Sequence, residues 1–203
     1  MKTLYLIRHG IAQHNVLFKN LGKRVFYDPR YCDTKLTPVG HEQSVLLGNT
    51  CDKLHTIDLV LCSSLYRTLE TAENIFINSN VNIIALDCLK EFPQGLQTCN
   101  QRSKKSDLIQ RFHTIDFSFL ETENDEMWCN TKEESIDSLN GRIQQLNNFI
   151  TSRIESNIAI ICHNSFIGQY KDKKIGLIEN GDKELLYCHP YEVQFNEHIN
   201  ESL

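Results

Sequence analysis

The sequence predicts an α/β protein: a three-layer α/β/α arrangement on a mainly parallel central sheet. Three observations carry that prediction. Four apolar runs, 4–7, 57–62, 81–86 and 158–162, have strand length and are rich in Ile, Val and Leu at successive positions, the pattern of strands buried on both faces. Segments of helical spacing alternate with them, as parallel strands require for their crossovers. The chain has 203 residues, 40% hydrophobic and 23% charged, with only 9 Gly and 4 Pro. That length suffices for one sizeable core, so a single domain over 1–203 is expected.

Taken in order, run 4–7 opens the chain as a strand. Thr37-Pro38 then starts a helix reaching about Asp52, with Thr37 as N-cap and Pro38 at the first helical position. Run 57–62 leads into a helix from Leu65 to about Ile77, capped by Ser63 or Ser64. After run 81–86, the stretch 92–130 mixes Phe92, Phe112, Phe117, Phe119 and Trp128 with many charges and reads as an irregular or helical insertion beside a site. The longest periodic segment runs from Lys132 to Glu155, with Ile136, Leu139, Ile143, Leu146, Ile150 and Ile154 at three- and four-residue intervals. Thr131 with Glu134 forms a capping-box pattern at its start. Run 158–162 follows as the fourth strand.

Composition excludes several classes of function. A formal net charge of −5 disfavours a nucleic-acid binder, which ordinarily presents a basic face. The one basic run, Arg102-Ser103-Lys104-Lys105, reads as a solvated helix start in preference to a substrate contact. Eight cysteines are scattered with no Cys-x-x-Cys pair and no zinc spacing, so no metal or other cofactor is expected. Cys62 and Cys162 end buried strands, which fits reduced thiols and a cytoplasmic location. The N-terminal apolar stretch is too short for a signal peptide or a membrane span. No membrane partner is expected, and oligomeric state is not legible.

The chemistry sits just past the apolar runs. Arg8-His9-Gly10 follows the first, Ser63-Ser64 and Arg67 the second, Glu91 the third and His163 the fourth. In an open α/β sheet the carboxyl ends of the strands line the ligand crevice, so these residues should converge. Two Arg, two His and one Glu suit a phosphoryl group. Arg8 and Arg67 offer planar forks of donors to phosphate oxygens, and Arg67 lies in a first helical turn whose N–H groups favour an anion. Neutral His9 is a phosphoryl acceptor, and Gly10 lets the backbone approach phosphate. His163 would donate to the transferring oxygens, while Glu91 would act as general acid and then base. His14 and His41 lie at no strand end and read as surface or helix-packing residues; Gln13 could line a pocket mouth.

The ordered series Leu6-Ile7-Arg8-His9-Gly10, Leu36-Thr37-Pro38-Val39-Gly40 with Gln43, Cys62-Ser63-Ser64-Leu65-Tyr66-Arg67-Thr68 with Thr71-Ala72, Leu89-Lys90-Glu91 and Ile161-Cys162-His163 resembles the histidine phosphatase superfamily, phosphoglycerate-mutase-like branch. The resemblance spans about residue 3 to residue 168. It implies a phosphohistidine intermediate at His9, a phosphate pocket of Arg8, Arg67 and His163, and Glu91 as proton donor. Asn15, six residues after His9, matches a family asparagine that contacts phosphate.

Two departures from the family pattern bear on function. Asn164-Ser165 follow His163 where the family commonly has Gly, so the loop either loses a close backbone contact or replaces it by a side chain. Phe92-Pro93 follow Glu91 where mutases carry an Arg, and the chain is short for a mutase. Hydrolysis of a phosphorylated small molecule is therefore favoured over phosphoglycerate mutase activity. A non-catalytic phosphate-binding protein is the third reading, and it would be expected to have lost one of the site residues.

Overall fold

In the computed structural model, which describes residues 1–175 and 185–196, six strands form one sheet: β1 Lys2–Arg8, β2 Leu59–Ser63, β3 Ile83–Leu86, β4 Ile115–Asp116, β5 Asn157–Cys162 and β6 Pro190–Phe195. Their order is β4-β3-β2-β5-β1-β6, parallel throughout except for β6, which runs antiparallel to β1. The helices are α1 Gln13–Leu21, α2 Arg24–Tyr27, α3 Pro38–Thr50, α4 Tyr66–Ile75, α5 Lys105–Arg111, α6 Ile136–Thr151 and α7 Asn164–Asp172. No helix among the described residues is long and apolar enough to cross a membrane.

Successive side chains of a strand point to opposite faces, so each apolar run feeds two cores. Tyr5, Ile7, Val60, Cys62, Ala85, Ala159 and Ile161 pack with Leu69, Ala72 and Ile75 of α4 and with Leu108, Phe112 and Phe117 of the 92–130 segment. Leu4, Leu6, Leu59, Leu61, Ile84, Ile158 and Ile160 pack on the other side with Leu139, Ile143, Leu146 and Ile150 of α6 and Phe166 and Ile167 of α7. The expected three layers are present. Strand β6 escaped the sequence reading because it alternates: Tyr191, Val193 and Phe195 join the second core, while Glu192 lies between them. A search for continuous apolar runs does not register such an edge strand.

Two helix starts differ from expectation. Helix α6 begins at Ile136 and not at Lys132; its cap is Ser135, whose hydroxyl accepts from Ser138 N at 3.2 Å. Glu134 does not close a box with Thr131, because its carboxylate is held by buried Arg142 at 2.7 Å. The apolar stripe is correspondingly shorter, with Ile136 53% and Ile154 94% exposed. Ser135→Ala should destabilise the protein by about 1 kcal/mol, the usual cost of a lost N-cap, as read from a denaturant midpoint at unchanged slope. Helix α4 is capped by neither Ser63 nor Ser64. Instead its first amide, Tyr66 N, donates to Asp33 at 2.8 Å, and Ser64 donates to Asp87.

The 92–130 segment is mostly irregular, with one seven-residue helix, α5, one short 3-10 turn over Thr98–Asn100 and the two residues of β4. Buried charges organise it. Arg102 is not solvated but 3% exposed; its guanidinium pairs with Asp87 at 3.1 Å and donates to the carbonyls of Ser103, Thr122, Glu123 and Asn124. Asp125 accepts from Arg102 N and from the buried Lys90 ammonium. These contacts let a segment with little regular structure satisfy its carbonyls away from water.

Candidate active site

The pairing of Arg8 with Cys162, and of Cys62 with Ile161, brings the carboxyl ends of β1, β5 and β2 level. Residues just past those ends are therefore neighbours. His9 N donates to Cys162 O at 3.1 Å, and the His9 and His163 rings lie 5.1 Å apart between centroids, edge on. This is the end of the sheet at which an open α/β fold binds its ligands.

Two bonds define the state of His9. Its Nδ1 is 2.7 Å from Gly10 O, which can only accept, so Nδ1 carries the proton. Its Nε2 receives Arg67 Nε–H at 3.3 Å; a guanidinium can only donate, so Nε2 presents a lone pair. Burial foremost, then the charges of Arg67 and Arg8, hold the imidazole well below its ordinary range. The ring is thus neutral, with one defined basic nitrogen.

The loop that carries His9 is held by motif residues from α3 and α4. Thr37 donates through both N and Oγ1 to Ile11 O, Gln43 Oε1 accepts from Ile11 N at 3.0 Å, and Thr71 Oγ1 accepts from Gly10 N at 3.1 Å. Gly10 is needed for packing: a Cβ there would lie 2.5 Å from Gly40 O. Its absence lets the loop sit against α3, which differs from the closeness to phosphate expected of it.

Arg67 is fully buried. Besides His9, it donates from Nη1 to Cys99 O at 2.8 Å and from Nη2 to Asn100 Oδ1 at 2.9 Å. The irregular segment therefore reaches the site by orienting this guanidinium. The first amide of α4 is not open to an anion, since Asp33 takes it. Arg8, at the end of β1, donates from Nη1 to Leu185 O at 2.7 Å and lies 3.7 Å over the Tyr187 ring.

His163 is fully buried, with Nε2 2.9 Å from Ser63 Oγ. Its Nδ1 has no hydrogen-bond partner among the described residues. Burial, then Arg67 and the His9 and His14 rings, keep it well below the usual imidazole range. Glu91 follows β3 and a 3-10 turn; Arg142 grips the carbonyls of Cys88 and Lys90 just before it. Its carboxyl accepts from Phe92 N at 2.8 Å and from Ser165 N and Phe166 N in the first turn of α7. Withdrawal from water raises its pKa, against the lowering effect of those amides and of Arg67 and Arg8.

Among the remaining candidates, Asn15 accepts through Oδ1 from Ala12 N at 2.9 Å, closing the start of α1. Asn164, where the family commonly has glycine, makes a side-chain contact: its Oδ1 accepts from Leu185 N, the residue whose carbonyl holds Arg8. Gln13 is exposed, and His41 packs between helices against Asn74 and Glu70. Of the two readings of His14, surface or helix-packing, the structure removes the first, since its ring packs edge on against Phe26 of α2. His14 is 6% exposed, bonded through Nδ1 to Thr34 Oγ1, with its ring 6.4 Å from that of His9. Its signal was the first turn of a helix beginning just past the His9 loop. Asn100 and Tyr187 carried no local signal, because only the return of distant segments brings them here. Among the described residues no group of three or more His, Cys, Asp and Glu is arranged to hold a metal ion.

Comparison with known proteins identifies the family. The model of the histidine phosphatase superfamily, branch 1, matches residues 4–176. Phosphoglycerate mutase-like protein 1 of Arabidopsis thaliana is 32% identical over 197 residues, covering 82% of this chain and 69% of that protein. Among solved structures, the α-ribazole phosphatase of Shigella flexneri superposes with a TM-score of 0.64 at 24% identity, over 96% of this chain and 91% of that one. The ecdysone phosphate phosphatase of Bombix mori does so at 0.65 and 17% identity, over 96% and 90%. With its strand-end His9, Arg67 and His163 brought together and the family model matched along most of its length, this chain belongs to the histidine phosphatase superfamily.

Proposed function

We propose that the protein is a phosphohydrolase that cleaves a phosphomonoester through a phosphohistidine on His9. The observation that carries this reading is the lone pair on His9 Nε2, defined by the Gly10 carbonyl and the Arg67 N–H and kept neutral by its surroundings. A neutral imidazole with one oriented nitrogen is an activated nucleophile.

In the first step Arg67 Nε–H turns from His9 Nε2 to a phosphoryl oxygen, the Nε2 lone pair so released attacks phosphorus, and the bond from phosphorus to the ester oxygen breaks. The proton of Glu91, favoured by its raised pKa, passes to the departing alkoxide. Arg8, Arg67 and the free Nδ1 side of His163 supply donors for the transferring oxygens. In the second step water attacks the phosphohistidine while the Glu91 carboxylate takes a water proton. Phosphate leaves, and His9 is neutral again. Asn15 is kept in the phosphate pocket on the family pattern alone.

The named structural neighbours are phosphatases, one of them bound to tungstate, an oxyanion of phosphate-like charge and size. Their alcohols are unrelated, so the shared chemistry is the monoester group. All eight cysteines are free, which is consistent with the cytoplasmic location that we include in the proposal. The purified chain should release phosphate from an aryl phosphate in a strong chelator, because the guanidiniums of Arg8 and Arg67 supply the positive charge and neutral imidazole N–H groups add hydrogen bonds. Phosphate release and phosphoglycerate interconversion should be assayed side by side. Activity lost to the chelator and restored by a divalent cation would refute the metal-independent mechanism, and interconversion without release would refute hydrolysis.

A further inference from the structure

The two histidines of the proposed mechanism are flanked by a third that it does not use. His14 sits in the first turn of α1, 6% exposed, with its ring 6.4 Å from His9 on one side and 5.9 Å from Phe26 on the other. Two positive guanidiniums, Arg67 and Arg8, act on it as they act on His9. A ring that served only to fill space beside Phe26 would be better supplied as an apolar side chain, since a buried imidazole must satisfy two nitrogens.

Thr34 settles the first nitrogen. Its hydroxyl, 2% exposed, contacts His14 Nδ1 and makes no other hydrogen bond among the described residues. A buried hydroxyl needs an acceptor for its proton; His14 Nδ1 is the acceptor at hand. The ring proton then resides on Nε2, which makes no hydrogen bond among the described residues. The Ser63–His163 pair repeats the arrangement. Ser63 Oγ already accepts from Leu65 N and lies 2.9 Å from His163 Nε2, leaving Nδ1 without a partner. Two hydroxyl–imidazole pairs thus stand beside His9, their rings 6.4 Å and 5.1 Å from it, each with one nitrogen open.

Building on the phosphohydrolase reading, we propose that His14 is a further substrate-contacting residue whose Nε2–H donates to the transferring phosphoryl group. Burial and the nearby guanidiniums hold the imidazole well below its ordinary range, so the ring carries a single N–H, and the Thr34 hydroxyl directs it to Nε2. A dianion entering between Arg8 and Arg67 would meet His14 and His163 as donors, while His9 Nε2 supplies the lone pair for phosphorus once Arg67 Nε–H turns to a phosphoryl oxygen.

Oxyanion binding tests this without turnover. Orthovanadate titrated calorimetrically into the wild-type protein should bind, and His14→Phe, which keeps ring volume but removes the donor, should bind about 10- to 100-fold more weakly, the value of one hydrogen bond to a charged acceptor. His14→Gln, whose amide nitrogen reaches the position of Nε2, should recover most of that loss. Nitrogen-15 NMR of the wild-type protein should show His14 protonated at Nε2, which keeps the test available even if His14→Phe does not fold. A folded His14→Phe that binds vanadate within twofold of wild type overturns the proposal, as does an Nδ1–H tautomer. Failure of the wild-type protein to bind any oxyanion would instead remove the phosphoryl reading of the whole site.

Discussion

Replacing His9 with alanine should abolish turnover, a loss on the order of 10⁶ where a covalent nucleophile is removed. A rapidly quenched wild-type reaction with labelled phosphomonoester should yield a protein-bound phosphoryl group that is stable to base and labile to acid, the signature of phosphohistidine. Digestion should place it on the N-terminal peptide that contains His9. His163, 5.1 Å away between ring centroids, should not carry it. With Ser63 on Nε2, the remaining nitrogen of His163 serves as a donor. His163→Ala should therefore slow the reaction while leaving any label on the N-terminal peptide, whereas His9→Ala should give no label. A label mapped to His163, or undiminished turnover in His9→Ala, would sink the mechanism and leave the fold assignment standing.

Glu91→Gln should divide substrates by leaving group. Loss of a general acid costs about 10² to 10⁴ in rate, and that cost should fall on alkyl esters, whose oxygen needs a proton, far more than on activated aryl esters, which leave as stable anions. Vanadate binding should survive, because Glu91 is held by Phe92 N, Ser165 N and Phe166 N and not by the phosphoryl pocket. The pH profile of kcat/KM reports the free enzyme. Its acid limb should reflect His9, active when neutral; since its pKa is lowered, activity persists to more acid pH than an ordinary imidazole permits. Its alkaline limb should reflect Glu91, active when protonated; since its pKa is raised, activity falls as pH rises through a value above the ordinary carboxyl range. In Glu91→Gln the alkaline limb should vanish for aryl esters. Equal losses on both ester classes would remove Glu91 from the acid role.

The errors in reading the sequence share a cause. Glu134 and Thr131 matched a helix-capping pattern, but a buried arginine from the next turn of the same helix claimed Glu134 and moved the start to Ile136. Arg102 looked like part of a solvated basic run, yet Asp87 and a cluster of carbonyls draw it inside. Ser63 and Ser64 followed a strand and preceded a helix, the ordinary place of a cap, and were taken instead by His163 and Asp87. In each case a local rule was correct about the residue's capacity to bond and silent about which partner the fold would bring to it. Polar side chains have several possible partners, and the choice among them is made by tertiary contacts.

The sequence alone determined the layered α/β architecture and the parallel core strands, because hydrophobic runs specify buried strands, and it nominated Arg8, His9, Arg67, Glu91 and His163 as candidates, because ligands bind where those strands end. Only the tertiary structure decided which nitrogen of His9 is basic, that Cys99 and Asn100 orient Arg67, that Asn164 and Leu185 support Arg8, and that His14 belongs beside His9. Apolar burial is encoded by residue type and spacing, which a single chain displays. Hydrogen-bond pairing depends on distance and direction between segments far apart in the chain, and exists only once the strands are aligned.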